Sequence, residues 1–225
     1  MVNVAVLVSG GGTNLQALID ARDAGQLPAA NLRLVVADRA GCFAIQRAEA
    51  AGIEALTLDR TSPTFARDLL AALDSADIAA VVLAGFLTVL PPEVVAAYEG
   101  RMINVHPSLI PAFSGPGWYG LKVHEAALER GVRITGATVH LVTEEADGGP
   151  ILAQKAVGVE PGDTPETLQR RVMEEAEWVL LPRATQDLAT SLAGQPASAP
   201  GTSCRRRNGN VKKAPRSQED RLMKR

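Results

Sequence analysis

The stretch richest in usable chemistry is Asn104-Val105-His106-Pro107-Ser108-Leu109-Ile110-Pro111. It follows a short apolar run. In a strand alternate side chains share a face, so Asn104 and His106 point the same way. Pro107 has no N–H to give to a ladder and ends the strand. An amide and a protonatable ring aimed at one point can hold a developing oxyanion and supply a proton. Asp147 lies in a loop segment, Glu144-Glu145-Ala146-Asp147-Gly148-Gly149. Asp before Gly is a common turn choice. It is also a carboxylate that, placed beside His106, stabilises the imidazolium and raises its pKa. The other histidines are His124 and His140. Three histidines with no nearby cysteine make a poor zinc set, so no metal is expected.

Two further segments carry candidate binding groups. Ser9-Gly10-Gly11-Gly12-Thr13-Asn14 follows an apolar β-branched run and opens a helix. Glycines let a backbone approach an anion closely, and free helix N–H groups favour a phosphate. The same residues can also be a tight turn that binds nothing. No lysine follows, so this is not a Walker loop, and the spacing is not G-x-G-x-x-G. Asp38, at the end of the next strand, fits the acidic residue of a dinucleotide fold, but the glycine spacing does not. Ala84-Gly85-Phe86-Leu87-Thr88-Val89-Leu90 is either plain core or a pocket wall whose backbone hydrogen-bonds a flat heterocycle.

These groups need a frame. Strands are expected over residues 4–8, 32–37, 54–57, 79–84 and 101–105, alternating with helices over 15–24, 42–51, 65–73 and 93–98. Such alternation implies βαβ units and a mostly parallel sheet, with chemistry at the strand ends. A helix over 121–130 follows. Residues 137–142 and 151–157 then read as two strands joined by the loop of Asp147, a hairpin-like antiparallel addition. One long amphipathic helix is expected over 164–192, broken or kinked at Pro182, with only a loose capping signal around Thr164.

The chain has 225 residues, one domain of ordinary size plus an extension. Hydrophobic residues make up 46%, enough for a sizeable core, and aromatics only 4%, so that core is Ala, Val, Leu and Ile. Cys42 and Cys204 form no disulfide framework, which makes a reducing cytoplasm the expected compartment. The N-terminus lacks the basic region of a signal peptide, and no run reaches the roughly 18 apolar residues of a membrane span. Net charge is −2, yet residues 201–225 hold nine Lys/Arg and two Asp/Glu, against 14 and 23 in the first 200. The expected organisation is therefore an acidic domain over 1–192 and a disordered basic tail over 193–225, whose composition cannot offset its chain entropy.

Together these pieces resemble the phosphoribosylglycinamide formyltransferases, folate-dependent enzymes of purine synthesis, over residues 4–182. The motifs are VLVSGGGTNLQALI, VVLAGFLTVL, RMINVHPSLIPAF, GATVHLV with EEADGGPIL, and EWVLLP. Asn-x-His-Pro-Ser-Leu-x-Pro with Asp-Gly-Gly-Pro points to folate formyltransferases at large, and the Gly-Gly-Thr-Asn loop to the glycinamide branch. The resemblance implies an α/β, Rossmann-like three-layer fold, its mostly parallel sheet extended by an antiparallel C-terminal addition. It implies 10-formyltetrahydrofolate as co-substrate, without a metal. Gly12, Thr13 and Asn14 then hold the phosphate of glycinamide ribonucleotide, and Glu177 its ribose hydroxyls. Leu87, Thr88, Val89 and Leu90 line the pterin pocket, and Asn104 contacts the formyl group. His106 is the general acid, Asp147 keeps it protonated, and His140 orients the loop of Asp147. This chain departs from the pattern at several places. Thr88 stands where some members have Arg. Ser62 falls near an arginine that contacts folate, with Arg67 as a candidate substitute. Glu177-Trp178 replaces a Glu-His pair, and residues 114–120 resemble an insertion found in part of the family.

The resulting reading is a formyltransferase acting on small molecules, as monomer or homodimer, with no membrane or nucleic-acid partner. A formyltetrahydrofolate hydrolase is expected to carry an N-terminal regulatory domain, whereas this sequence opens on its first strand. A methionyl-tRNA formyltransferase is expected to carry a C-terminal barrel, which about 30 polar residues cannot form. A nucleic-acid module is suggested by Arg205, Arg206, Arg207, Lys212 and Lys213, but the domain is acidic and the tail has no interleaved aromatics.

Overall fold

The computed structural model describes residues 1–194. The basic segment expected to be disordered lies, from residue 195 on, outside the described residues. Seven strands form one sheet in the order β3-β2-β1-β4-β5-β6-β7. The strands are β1 (Val2–Val8), β2 (Ala30–Ala37), β3 (Glu54–Thr57), β4 (Ala80–Leu83), β5 (Met102–His106), β6 (Ile134–Leu141) and β7 (Ile151–Gly158). The first five run parallel, and β6 and β7 add antiparallel, so the expected α/β architecture is present. The helices are α1 (Thr13–Asp23), α2 (Phe43–Ala50), α3 (Phe65–Ser75), α4 (Pro92–Ala97), α5 (Leu121–Arg130), α6 (Pro165–Val172) and α7 (Trp178–Ala193).

The period of two along the strands builds two cores, one on each face. On β1, Val4, Val6 and Val8 enter one core with residues of α1, α2, α6 and α7, whereas Ala5 and Leu7 enter the other with residues of α3 and α4. On β5, Ile103 and Val105 join the first core and Met102 the second. Asn104 and His106 share parity with Met102 and therefore face the α3–α4 side. The strand order reverses between β1 and β4, so the loops leaving those two strands splay apart and open a crevice at their C-terminal ends.

The expected single helix over 164–192 is corrected. It begins with a full capping box, Thr164 and Thr167 each bonding the other's backbone N–H. Its interruption is a π turn at Met173–Glu177, ahead of Pro182. Pro182 cannot donate to the Trp178 carbonyl and its ring crowds that carbonyl, so the wide turn sits one turn before the missing bond. Ala193, expected to head the tail, closes α7.

Candidate active site

The cavity at the crevice, about 450 Å³, is bordered by the ends of β4 and β5, the start of α1, the 142–147 loop and the π turn. Asn104, His106 and Asp147 line it, as expected, together with His140. β5 pairs antiparallel with β6 so that Asn104 lies opposite His140, and His106 opposite Thr138. The amide of Asn104 consequently meets His140 Nε2, at 3.2 Å, rather than His106. His140 Nδ1 is 2.9 Å from the Leu141 carbonyl. A carbonyl only accepts, so Nδ1 carries the hydrogen, and the neutral ring's Nε2 accepts from Asn104. One amide hydrogen of Asn104 remains for a ligand.

His106 makes one hydrogen bond and faces one carboxylate. Nε2 donates to the Phe113 carbonyl at 2.8 Å, and Nδ1 stands 3.4 Å from Asp147 Oδ2. Asp147 Oδ1 is 3.4 Å from His140 Nε2, and the Gly115 N–H donates to Oδ2 at 2.9 Å. Asp147 is held in the left-handed region, φ 55°, uncommon for a residue with a side chain. Gly149 makes that bend of chain feasible, because any Cβ there would strike the Leu141 carbonyl oxygen. The pairing of His106 with Asp147 is thus present, but the expected rise in the His106 pKa is not. Burial pushes the ring below the ordinary histidine value, outweighing the upward pull of Asp147 and of the Phe113 carbonyl. With the ring only 4% exposed, the water stripped from an imidazolium costs more than one carboxylate at 3.4 Å returns. For Asp147 the balance goes the other way. Burial acts to raise it, yet the His140 and His106 rings in their charged forms, together with the Gly115 N–H, hold it below the usual carboxylate range.

At the other end of the site, Thr13 and Asn14 border the cavity while Gly12 does not. Gly12 has φ 72°, and an added Cβ would lie 2.7 Å from Ala44 Cβ. The glycine is demanded by α2 packing on the loop. The carbonyls of Gly10 and Gly11 are bonded to α2, by the Ala44 N–H at 3.2 Å and by Arg47 Nε at 2.8 Å. With both carbonyls occupied, the loop and the uncapped start of α1 offer N–H groups to an anion. Asn14 Nδ2 donates to Glu177 Oε2 at 2.6 Å. Burial raises the Glu177 carboxyl to about 7, against the lowering effect of Asn14. The π turn is what carries Glu177, the last of its residues, to α1.

Leu87, Thr88, Val89 and Leu90 border the cavity, with Leu87 and Val89 exposed and Leu90 buried. Arg67 does not border it; its guanidinium pairs with Asp68 of its own helix at 3.0 Å, and Ser62 bonds Thr64. Sequence reasoning missed two features. The strap over residues 111–120 takes part in the site, through the Phe113 carbonyl, the Gly115 N–H and the side chains of Trp118 and Tyr119 at the cavity wall. Its sequence signal is a run of glycines and aromatics that resembles an insertion. His124 on α5 is fully buried, without a hydrogen-bond partner on either nitrogen among the described residues, and burial and the nearby His106 depress it to about 4. Nothing in its sequence setting distinguishes it from an exposed helix position.

Among the described residues no group of three or more His, Cys, Asp or Glu is placed to hold a metal ion, and no helix is long and apolar enough to cross a membrane.

The geometry has counterparts in known proteins. Over 195 residues the chain is 43% identical to the trifunctional purine biosynthetic protein adenosine-3 of Gallus gallus, covering 84% of this chain and 18% of that one. Over 178 residues it is 39% identical to the phosphoribosylglycinamide formyltransferase of Escherichia coli (strain K12), covering 77% of this chain and 81% of that one. It spans 60% of the chloroplastic phosphoribosylglycinamide formyltransferase of Arabidopsis thaliana, so several relatives are considerably longer. The crystal structure of glycinamide ribonucleotide transformylase 1 from Symbiobacterium toebii superposes with a TM-score of 0.78 at 39% identity, covering 85% of this chain and 89% of that one. That of phosphoribosylglycinamide formyltransferase from Brucella melitensis gives 0.75 at 43%, covering 88% and 98%. Residues 2–185 match the formyl transferase family pattern, and the chain belongs to that family.

Proposed function

We propose that this chain transfers the formyl group of 10-formyltetrahydrofolate to the amine of 5-phosphoribosyl-glycinamide, in the cytoplasm, as a step of purine synthesis. One observation carries the reading: a single cavity borders the start of α1 with Glu177, the 87–90 wall, and the Asn104/His106/Asp147 group. A phosphate fits the N–H groups at α1, and ribose hydroxyls fit the Glu177 carboxylate. A flat pterin fits the 87–90 wall. The names of the relatives support the same assignment. The buried free thiol of Cys42 suits a reducing compartment.

The amine nitrogen attacks the formyl carbon, and the C=O pair moves onto oxygen. The free amide hydrogen of Asn104 stabilises that oxyanion. His106, neutral because of its burial, is a base before it is an acid. Its Nδ1 takes the proton lost by the amine, and the new imidazolium is stabilised by Asp147 at 3.4 Å. When the oxyanion collapses, the bond from the formyl carbon to folate N10 breaks and the same proton goes to N10. Formyl-glycinamide ribonucleotide and tetrahydrofolate result, with no covalent enzyme intermediate.

The test is to mix protein, ribonucleotide and 10-formyltetrahydrofolate and follow tetrahydrofolate by absorbance. Release is expected only with the ribonucleotide present. Equal release without it identifies a hydrolase and overturns the assignment.

A further inference from the structure

Three side chains that take no part in the proton and formyl transfer meet at the β1–β4 crevice, Ser9 and Asp38 buried and Thr88 half-buried. Asp38, the residue after β2, is fully buried. Its Oδ2 accepts from Ser9 Oγ at 2.8 Å and from Thr88 Oγ1 at 2.6 Å. Both hydroxyl hydrogens thus point at Oδ2, which leaves a lone pair of Ser9 Oγ to accept the Leu87 N–H at 2.8 Å. The Ser9 N–H donates to the Gly85 carbonyl at 3.2 Å. Arg39 and Arg60 stand 3.8 and 3.6 Å from the carboxylate. An acid at the end of a second strand could have met the ribose of a dinucleotide. Here Oδ2 takes both hydroxyls, Oδ1 faces Arg39 without a hydrogen bond among the described residues, and the buried carboxylate leaves no surface for a ribose hydroxyl.

The loops on either side of this cluster depend on it unequally. The glycine loop has its own anchors on α2, through Ala44 and Arg47. Residues 85–88 have no comparable anchors: among the described residues, the hydrogen bonds that hold them run to Ser9 or Asp38. Packing holds the segment at Phe86 and Leu90, which enter the second core, but not between them, since Leu87 is 47% and Val89 84% exposed. Between those two apolar anchors the stretch takes its position from polar ties, one to Ser9 Oγ and one to the Asp38 carboxylate.

We infer that Asp38 is a positioning residue for formyl-folate binding, holding the 85–90 wall in place through Ser9 and Thr88. The inference rests on the reading of that wall as the folate side of the cavity. Thr88 then acts through its hydroxyl toward the protein, with its other surface lining the cavity.

The experiment uses the full chain with Thr88→Val, Thr88→Ser, Asp38→Asn and the Asp38→Asn/Thr88→Val double variant. Three quantities are measured: KM for 10-formyltetrahydrofolate, KM for the ribonucleotide, and hydrogen exchange of the Leu87 amide without ligand. Charge-assisted bonds of this kind support a rise of about tenfold in the folate KM for Thr88→Val and for Asp38→Asn, with the ribonucleotide KM within about twofold. Leu87 exchange should quicken in both, Thr88→Ser should restore both readouts, and the double variant should be no worse than the worse single one. If Asp38→Asn fails to fold, Thr88→Val against Thr88→Ser still decides. Unchanged Leu87 exchange overturns the inference, and so do effects on folate KM that multiply, since Thr88 would then be touching folate directly. Faster exchange with no change in folate KM leaves the tie standing and overturns the folate assignment of the wall.

Discussion

His106 sits in surroundings that pull its proton two ways, and burial wins. The carboxylate of Asp147 does not keep the ring charged at rest; it makes the charged state reachable during the reaction. Asp147→Asn removes the charge and keeps the shape, so the His106 pKa, already below the ordinary value, should fall further. Less proton uptake in the tetrahedral intermediate should follow, with a loss of about 10²–10⁴ in kcat. His106→Ala should be at least as damaging, and the double variant little worse than the worse single one, because the two groups act as a unit. A double-mutant cycle on kcat, with the histidine titrated by NMR in both backgrounds, checks this. Multiplying effects and an unmoved histidine pKa would return Asp147 to the role of a turn residue. Asp-Gly-Gly was legible as a turn and as a candidate carboxylate, but the sign of the pKa shift was not. It depends on how much water the fold removes from the ring, and no spacing in the sequence encodes that.

At the scale of elements, the glycine loop, the strap and the π turn each decide where a polar group ends up. Gly12 was legible as a turn glycine. The reason for it was not: its missing Cβ makes room for Ala44 of α2. Gly12→Ala combines left-handed strain with overpacking, and should cost on the order of 1–3 kcal/mol of stability. Gly11→Ala meets nothing within 4 Å and should leave stability unchanged. Urea unfolding of the two variants compares them, and equal midpoints would mean that α2 yields and the glycine is there for the ligand alone. Loop pairing explains the strap as well. Its Phe113 carbonyl and Gly115 N–H reach His106 and Asp147 from residues 7 and 32 positions away in sequence, and no local pattern reports such contacts.

For the whole molecule, Glu177 links stability to pH. Its carboxyl is buried and raised to about 7 from an ordinary 4.5. A raised carboxyl binds its proton more tightly in the folded state. Its stabilising contribution is thus fully present below pH 4.5 and is lost as pH rises through about 7, on the order of 3 kcal/mol in all. Wild type should lose stability between about pH 5 and 7.5 relative to Glu177→Gln, measured by urea midpoints at each pH. Parallel curves would show that Glu177 is solvated in the native state. Period, turn residues and strand parity are local properties, and from them the alternation of strand and helix, the parallel sheet with its antiparallel addition and the shared face of Asn104 and His106 can be read. Thr13, Asn14, the 87–90 run, Asn104, His106, Asp147 and Glu177 were also legible as candidates and line the cavity. Which of those groups touch is a matter of packing and register. The fold opposed Asn104 to His140 through the β5–β6 register, joined Asn14 to Glu177 across 163 residues, and committed Asp38 to Ser9 and Thr88. It also decided which charges survive burial, because desolvation and long-range pairing are summed over the whole packed molecule and have no counterpart in the order of residues along the chain.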